Sequence, residues 1–280
     1  MSCFAGTGTQ VSRYSVRYPQ TTDSTGPSGN VLIHCAGIAH AALPDPALIY
    51  QANHKLPVQT AIWAKEKGYS HFVFLSTGLV WDESLEVIDT GKDIPTPDTH
   101  YGKAKLAAEI EILGLADRSF AVSIVRLPLV YGPGVKGNLA RLIDAVASWP
   151  ACPLGSRKAI RSVTAVSTII RFIEHLVRIQ QTGIYTLIDT PRLSTFEMVR
   201  FIQAGLPNCG LAIPLPSFVR PVLDRVTPSI SRRLLHSREI VDNSVRETGF
   251  DPIIEREAVR EGFAQMARRH YEQAQRKEKS

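Results

Sequence analysis

The feature that most constrains this chain is a succession of short apolar segments separated by longer segments with helical spacing. The apolar segments are NVLIHC from Asn30 to Cys35, HFVFLS from His71 to Ser76, and AVSIVRL from Ala121 to Leu127. Strands that are continuously apolar are buried on both faces, as in parallel sheets covered by helices. The alternation therefore predicts an α/β fold with a parallel sheet and right-handed crossovers.

The segments between these strands carry helix start and stop signals. Pro46, preceded by Asp45 as an N-cap, begins a helical pattern that Gly68 ends. Pro57 lies inside this pattern and predicts a kink or a break. The second helical segment runs from Asp98 to Leu115.

The second half of the chain is less regular. A helix is expected near residues 139–149, and the capping box of Ser194 and Glu197 predicts the start of another. The chain ends in a charged amphipathic helix, for which a solvated face is a simpler explanation than a nucleic-acid site. The second half therefore resembles a smaller lobe built from separated segments.

The formal net charge of +6 is unevenly distributed. Residues 1–130 carry ten Lys and Arg against twelve Asp and Glu, whereas residues 131–280 carry twenty-two against fourteen. A positive excess in one half favours an anionic ligand there. The sequence has no basic stripe interleaved with aromatic residues, so we do not expect nucleic-acid binding.

Apolar runs are far shorter than the roughly 20 residues that cross a bilayer, so no membrane insertion is expected. The first ten residues do not have the pattern of a secretory signal, which favours a cytoplasmic location. The four cysteines are far apart and form no CxxC pair. This spacing predicts neither a disulfide framework nor a metal site.

Two side chains of the second helical segment suit proton transfer. Tyr101 and Lys105 lie four residues apart in YGKAK and so share one face of a helix. A nearby ammonium lowers the pKa of a phenol, bringing it toward the range of a proton acceptor or donor near neutral pH. Ser76 and Thr77 end the second strand, at the sheet edge where α/β proteins bind ligands. A Ser-Thr pair before Gly78 also suits a simple strand end.

Taken in order, NVLIHCAG, Asn53 in the following helix, FVFLST, YGKAK and RLPLVYGPG resemble the extended short-chain dehydrogenase/reductases. Within them, the sequence resembles the NAD-dependent epimerase/dehydratase family, over residues 30–249. The resemblance implies a Rossmann-like doubly wound parallel sheet, N-terminally incomplete, with a smaller C-terminal substrate lobe. VYGPGVKGN, Arg161-Ser162, STFEM and RRLLHSREIVDN are similar to bacterial 4-epimerases and 4-keto reductases of UDP-N-acetylhexosamines.

This resemblance implies roles for particular residues. The catalytic residues would be Thr77, Tyr101 and Lys105. NAD or NADP would contact Ala36, Gly37, Asn53, Ser76, Tyr101, Lys105 and Pro128. A UDP-sugar would contact Thr77, Asn138, Arg161 and Arg233, since guanidinium groups suit a diphosphate. For Asn138, Arg161 and Arg233, an ordinary polar residue in a loop or on the surface is the alternative.

The implied activity is hydride transfer at C4 of the sugar, giving epimerisation or reduction of a 4-ketone, in surface polysaccharide biosynthesis. A homodimer is also expected, because family members often pair through the helix that carries YxxxK. On this interpretation residues 1–29 are an irregular segment and 30–130 a partial NAD(P)-binding Rossmann domain. Residues 131–255 are mainly the substrate-binding lobe, with segments returning to the sheet, and 256–280 a charged helix.

The sequence departs from the family pattern in two places. Leu129 stands where many members carry Asn. The family begins with a strand, a GxxGxxG turn and a helix, for which about 30 residues are needed, and 29 residues precede Asn30. AGTGTQ from Ala5 to Gln10 is the Gly-rich candidate, but no apolar strand precedes it. Two hypotheses follow: an epimerase or reductase truncated at its N-terminus, or a non-catalytic protein that binds a nucleotide sugar or acts as a scaffold.

Overall fold

A computed structural model of the 280-residue chain describes residues 30–38, 45–148, 151–152, 155–207, 209–227, 231–232 and 234–278. Helices include Pro46–Tyr50 (α1), Leu56–Glu66 (α2), His100–Leu113 (α3), Gly137–Ser148 (α4), Val166–Ile179 (α5), Thr195–Gln203 (α6), Arg220–Val226 (α7) and Arg256–Glu278 (α8). Strands include Val31–His34 (β1), His71–Thr77 (β2), Val87–Asp89 (β3), Ala121–Leu127 (β4), Leu129–Tyr131 (β5), Ala151–Cys152 (β6), Ile160–Ala165 (β7), Gly183–Thr186 (β8), Thr190–Ser194 (β9), Leu211–Ala212 (β10) and Glu239–Val241 (β11). The irregular segment expected at residues 1–29, including Ala5 to Gln10, lies outside the described residues.

The chain divides into two compact units. The first comprises the described residues up to Val80, Pro95–Arg126 and Ile170–Tyr185. The second comprises Trp81–Ile94, Leu127–Ile169 and the described residues from 186 onward.

The first unit is built on a four-stranded sheet of order β1-β2-β4-β8. β1 pairs in parallel with β2, with Val31 opposite His71 and His34 opposite Phe74. The three strands expected from the apolar segments are therefore confirmed to within two residues at either end. The core packs side chains of α2 and α3 against β2 and β4, including Ala61, Ala64, Phe72, Phe74, Ala108, Ile112, Val122 and Ile124.

The helical segment after β1 has the expected start and break. The Asp45 carboxylate accepts a hydrogen bond from the Ala47 amide at 2.8 Å, which confirms the N-cap. The expected break at Pro57 takes the form of a π-helical turn over Gln51–Lys55, which lies between α1 and α2. Gly68, with φ of +78°, ends the segment in the left-handed conformation that favours glycine.

The second unit has a three-stranded sheet of order β5-β7-β9 and two-stranded pairs β3–β11 and β6–β10. β5 and β7 are parallel, whereas β7 and β9 are antiparallel, so this sheet is mixed. The capping box expected at Ser194 and Glu197 is confirmed. The core of this unit includes Tyr131 and Phe263, whose rings stack with centroids 4.4 Å apart.

Candidate active site

The end of β2 and the first turns of α3 meet in the first unit. Lys105 is buried and donates a hydrogen bond from Nζ to the Leu75 carbonyl of β2 at 2.9 Å. Its ammonium also lies 4.4 Å from the centroid of the Phe74 ring, a cation–π distance. Burial, the largest effect, lowers the pKa of Lys105 to about 8. Lys105 is therefore a cation held inside the unit, with a pKa close to neutral pH.

Tyr101 lies one helical turn before Lys105 and is hydrogen-bonded to the Thr77 side chain. Burial raises the pKa of Tyr101 to about 12, although the hydrogen bond with Thr77 opposes that rise. The lowering of this pKa expected from the YxxxK spacing is therefore wrong for this structure. The physical reason is that burial favours the neutral phenol, while the Lys105 ammonium is bound to the Leu75 carbonyl.

The N-terminus of α3 fits closely against the turn that follows β2. The Thr99 hydroxyl caps the helix by accepting a hydrogen bond from the Gly102 amide at 3.0 Å. A Cβ atom at Gly102 would lie 2.2 Å from the Leu79 carbonyl oxygen and 2.9 Å from Cβ of Pro97. The absence of a side chain at Gly102 is thus what allows α3 to bring Tyr101 to the end of β2.

Asn53 fastens the loop that follows β1. Its Nδ2 donates to the Ile38 carbonyl at 3.1 Å and to the Ile49 carbonyl at 2.9 Å, and its Oδ1 accepts from the Ile38 amide at 3.1 Å. Asn53 is fully buried in the π-helical turn. Such turns are frequent at functional sites, since the extra residue redirects a side chain.

Replacing Asn53 with alanine should lower the free energy of unfolding by about 3 kcal/mol, because one buried and two partly buried backbone groups lose the bond to its side chain. Urea unfolding of the parent and the variant measures this difference. Gln51→Ala, in the same π-helical turn, is the matched control and should change stability much less. A stability of Asn53→Ala equal to that of the control would contradict the role of Asn53 as the fastening of this loop.

The loop fastened by Asn53 exposes small residues. Ala36 and Gly37 are exposed, and a Cβ at Gly37 would lie 2.6 Å from Asn53 Oδ1 and 3.7 Å from Lys105 Nζ. His34, at the end of β1, is buried, and burial together with the Lys105 charge lowers its pKa to about 4. An exposed surface of small residues beside the Lys105 ammonium fits the nicotinamide and ribose of a dinucleotide.

The remaining site residues expected from the sequence belong to the second unit. Pro128 is partly buried between β4 and β5, and Asn138 is exposed at the start of α4. Arg161 of β7 donates to the Arg232 carbonyl, and burial, followed by the charge of Arg238, lowers the pKa of Arg161 to about 10. Arg233 lies outside the described residues.

The structure also contains site residues that the sequence interpretation missed. Glu109 and Arg126 form a buried ion pair in the first unit, with Arg126 Nη2 2.7 Å from Glu109 Oε2. The Ser76 hydroxyl donates to the same carboxylate. The signal that could have found Glu109 is its position four residues after Lys105, on the same face of the helix.

The described part of the chain contains neither a membrane-spanning helix nor a cluster of metal-binding side chains. None of its helices is long and apolar enough to cross a membrane. Within the same residues, no group of three or more His, Cys, Asp or Glu side chains could hold a metal ion.

Two curated proteins and one solved structure illustrate what the chain resembles. It is 29% identical over 262 residues to a UDP-glucose 4-epimerase of Vibrio cholerae. The matched region covers 85% of this chain and 75% of that protein. The chain is 25% identical over 183 residues to an N-acetyl-α-D-glucosaminyl-diphospho-ditrans,octacis-undecaprenol 4-epimerase of Escherichia coli O157:H7, covering 61% of this chain and 54% of that one.

The fold is shared with a UDP-N-acetylglucosamine 4-epimerase from Methanobrevibacter ruminantium M1, solved in complex with UDP-N-acetylmuramic acid. The TM-score is 0.67 at 14% identity, over 87% of this chain and 77% of that structure. A family model described as "NAD dependent epimerase/dehydratase family" matches residues 23–186, which is more than half of the sequence. The α/β fold and the NAD(P) cofactor class expected from the sequence are thereby confirmed, and the chain belongs to the NAD dependent epimerase/dehydratase family of enzymes.

Proposed function

We propose that this enzyme is an NAD(P)-dependent epimerase or 4-keto reductase of a UDP-sugar, acting in surface polysaccharide biosynthesis. The observation that carries the proposal is the buried Lys105 ammonium, bound to the Leu75 carbonyl at 2.9 Å near the end of β2, with Tyr101 one helical turn before it and interacting with Thr77. The similarity to the UDP-glucose 4-epimerase of Vibrio cholerae supports a sugar joined to UDP. The excess of positive charge after residue 130 supports an anionic substrate.

In this function the Tyr101 hydroxyl exchanges a proton with the oxygen at C4 of the sugar. Thr77 orients that oxygen and the phenol through hydrogen bonds. Lys105 keeps a positive charge near neutral pH, and a positive charge one helical turn from Tyr101 opposes the effect of burial by favouring the phenolate. When bound, NAD(P) supplies the hydride acceptor or donor.

Different residues would bind the cofactor and the sugar nucleotide. Ala36, Gly37, Asn53, Ser76 and Pro128, together with Tyr101 and Lys105, would hold the nicotinamide end of the cofactor. Asn138, Arg161 and Arg233 would hold the diphosphate of the sugar nucleotide, because guanidinium groups bind phosphate oxygens in pairs. A homodimer completes the proposal, and sedimentation velocity tests it.

The alternative is a non-catalytic protein that binds a nucleotide sugar. It is favoured by the raised pKa of Tyr101, because a phenol kept protonated by burial does not accept a proton near neutral pH. Both candidate functions include binding of a nucleotide sugar, but only the enzyme converts it to a product.

The test is incubation of the purified chain with NAD and UDP-glucose, UDP-galactose or the corresponding UDP-N-acetylhexosamines, followed by chromatography of the products. NADPH and NADH with a UDP-4-keto sugar are used in parallel to detect reduction. Conversion of one of these sugars supports the proposal. Calorimetric binding of a UDP-sugar without conversion supports the non-catalytic alternative, and absence of both contradicts the two candidates.

A further inference from the structure

A buried carboxylate lies behind the candidate active site. Glu109 on α3 has 1% of its surface exposed, and Arg126 on β4 has 8%. Arg126 donates to Glu109 Oε2 from Nε at 3.1 Å and from Nη2 at 2.7 Å. Nε also donates to Oε1 at 3.3 Å, so three charge-assisted hydrogen bonds fix the carboxylate in place.

The Glu109 carboxylate connects β2 and α3, the two elements on which the candidate active-site residues lie. Glu109 accepts a hydrogen bond from the Ser76 hydroxyl, and Ser76 is the residue directly before Thr77 in β2. On α3, Glu109 lies one turn after Lys105 and two turns after Tyr101. Residues spaced by four along a helix share one face, so Tyr101, Lys105 and Glu109 form a row along α3.

We propose that Glu109, held by Arg126, is a positioning residue of this enzyme: it fixes the end of β2 through Ser76 and so sets the position of Thr77 next to Tyr101, and its charge acts on the Lys105 ammonium one turn earlier on α3. The role rests on the function proposed above, because it is defined by what Thr77, Tyr101 and Lys105 do. Glu109 itself touches neither the substrate nor the cofactor.

The charges around Lys105 show how Glu109 acts on it. Lys105 interacts electrostatically with His34 and Cys35 at the end of β1 and with Glu109 on its own helix. Burial lowers the pKa of Lys105, and the charge of Glu109 is the first of the effects that oppose this lowering. Removing the carboxylate therefore lowers the pKa of Lys105 further and discharges part of the ammonium at neutral pH.

A purely structural role predicts something different. If the ion pair only ties α3 to β4, an apolar pair of similar volume should replace it without loss of activity. Such replacements of buried ion pairs are often neutral or stabilising, whereas removal of one partner leaves a buried charge unpaired. The double variant Glu109→Met with Arg126→Met therefore separates positioning from stability.

For the double variant we expect a Tm close to that of the parent, an unchanged KM for the sugar nucleotide, and a kcat lower by about 10- to 100-fold, as misplacement of reacting groups produces. Glu111→Gln is the matched control, since Glu111 lies two residues further along α3 and pairs instead with His54 at 2.6 Å. The control should keep the parent kcat. A kcat of the double variant within about twofold of the parent overturns the positioning role.

If the double variant does not fold, kcat and KM are measured for Ser76→Ala instead. This change removes the hydrogen bond between the strand end and the carboxylate and leaves the ion pair intact. Because Ser76 is also a proposed cofactor contact, the Kd of NAD is measured as well, and an unchanged Kd separates the two effects. We expect kcat to fall by about 10-fold with little change in KM. A kcat within about twofold of the parent again overturns the proposal.

The pKa of Lys105, measured without cofactor or substrate, provides a readout that does not depend on turnover. It is followed by NMR of the chain labelled with ¹³C-lysine, and Lys105→Arg identifies the resonance. We expect the pKa of Lys105 to fall by about half a unit or more in the double variant, because Glu109 is among the charges that act on Lys105 and Arg126 is not. It should stay unchanged in Glu111→Gln. If the parent converts no sugar nucleotide, the proposed function is wrong, but the titration still tests the effect of Glu109 on Lys105. A pKa of Lys105 that is the same in the parent and the double variant overturns the positioning role.

Discussion

Replacement of Tyr101 by phenylalanine should lower kcat by about 10²- to 10⁴-fold, the usual contribution of a positioned proton-transfer group. The change removes one hydroxyl and leaves the ring, so binding of the UDP-sugar should stay within about twofold, and stability should change little. Steady-state kinetics gives kcat, and calorimetric titration gives the Kd of the UDP-sugar. The prediction follows from the place of Tyr101 in the first turn of α3, one turn before the buried Lys105, and from its interaction with Thr77 at the end of β2.

Tyr185→Phe is the matched control for this experiment. Tyr185 lies in β8 of the same unit, its hydroxyl donates to the Gln181 carbonyl at 3.4 Å, and burial also raises its pKa. Loss of its hydroxyl should therefore show how much stability is lost when any buried tyrosine hydroxyl is removed. The kcat of this control should stay near that of the parent. Turnover that survives Tyr101→Phe would exclude Tyr101 as the proton-transfer residue.

The parts of the fold that the sequence predicts well are those with local signals. The caps at Asp45 and Ser194 involve residues two or three positions apart, so the sequence contains the whole motif. The strands are likewise recognisable because burial on both faces favours consecutive apolar residues, although His71, Ser123 and Arg126 interrupt the runs. β8 was not expected as a separate strand, since its four residues, GIYT, carry no such run.

The features that the sequence does not predict depend on tertiary packing. The pairing of Glu109 with Arg126 joins residues 17 positions apart on a helix and a strand. The YxxxK spacing places Tyr101 and Lys105 on one face, but it contains no information on how far each is buried. Burial decides both pKa values here, which is why the expected direction for Tyr101 was wrong. Pro57 likewise predicts a break without predicting the π-helical turn that aims Asn53 at Ile38.

Gly102→Ala should lower the free energy of unfolding by about 3 kcal/mol, at the upper end of the usual cost of overpacking. Gly102 is buried in the first turn of α3, where a new Cβ would lie 2.2 Å from the Leu79 carbonyl oxygen. That contact is with backbone, which cannot rotate away as a flexible side chain can. Relief requires α3 to move from the turn after β2, and this movement carries Tyr101 away from Thr77. We therefore expect loss of turnover together with loss of stability.

Gly114→Ala tests whether the effect is specific to the close approach at Gly102. Gly114 ends the same helix with φ of −64° and ψ of −13°, a conformation that alanine adopts without strain. A Cβ there would have its nearest neighbour, the Glu111 carbonyl oxygen, at 3.4 Å. Urea unfolding should show Gly114→Ala as stable as the parent or slightly more so, since alanine restricts the unfolded chain. Equal stability of the two variants would contradict the tight fit of α3 against the end of β2, on which the placement of Tyr101 depends.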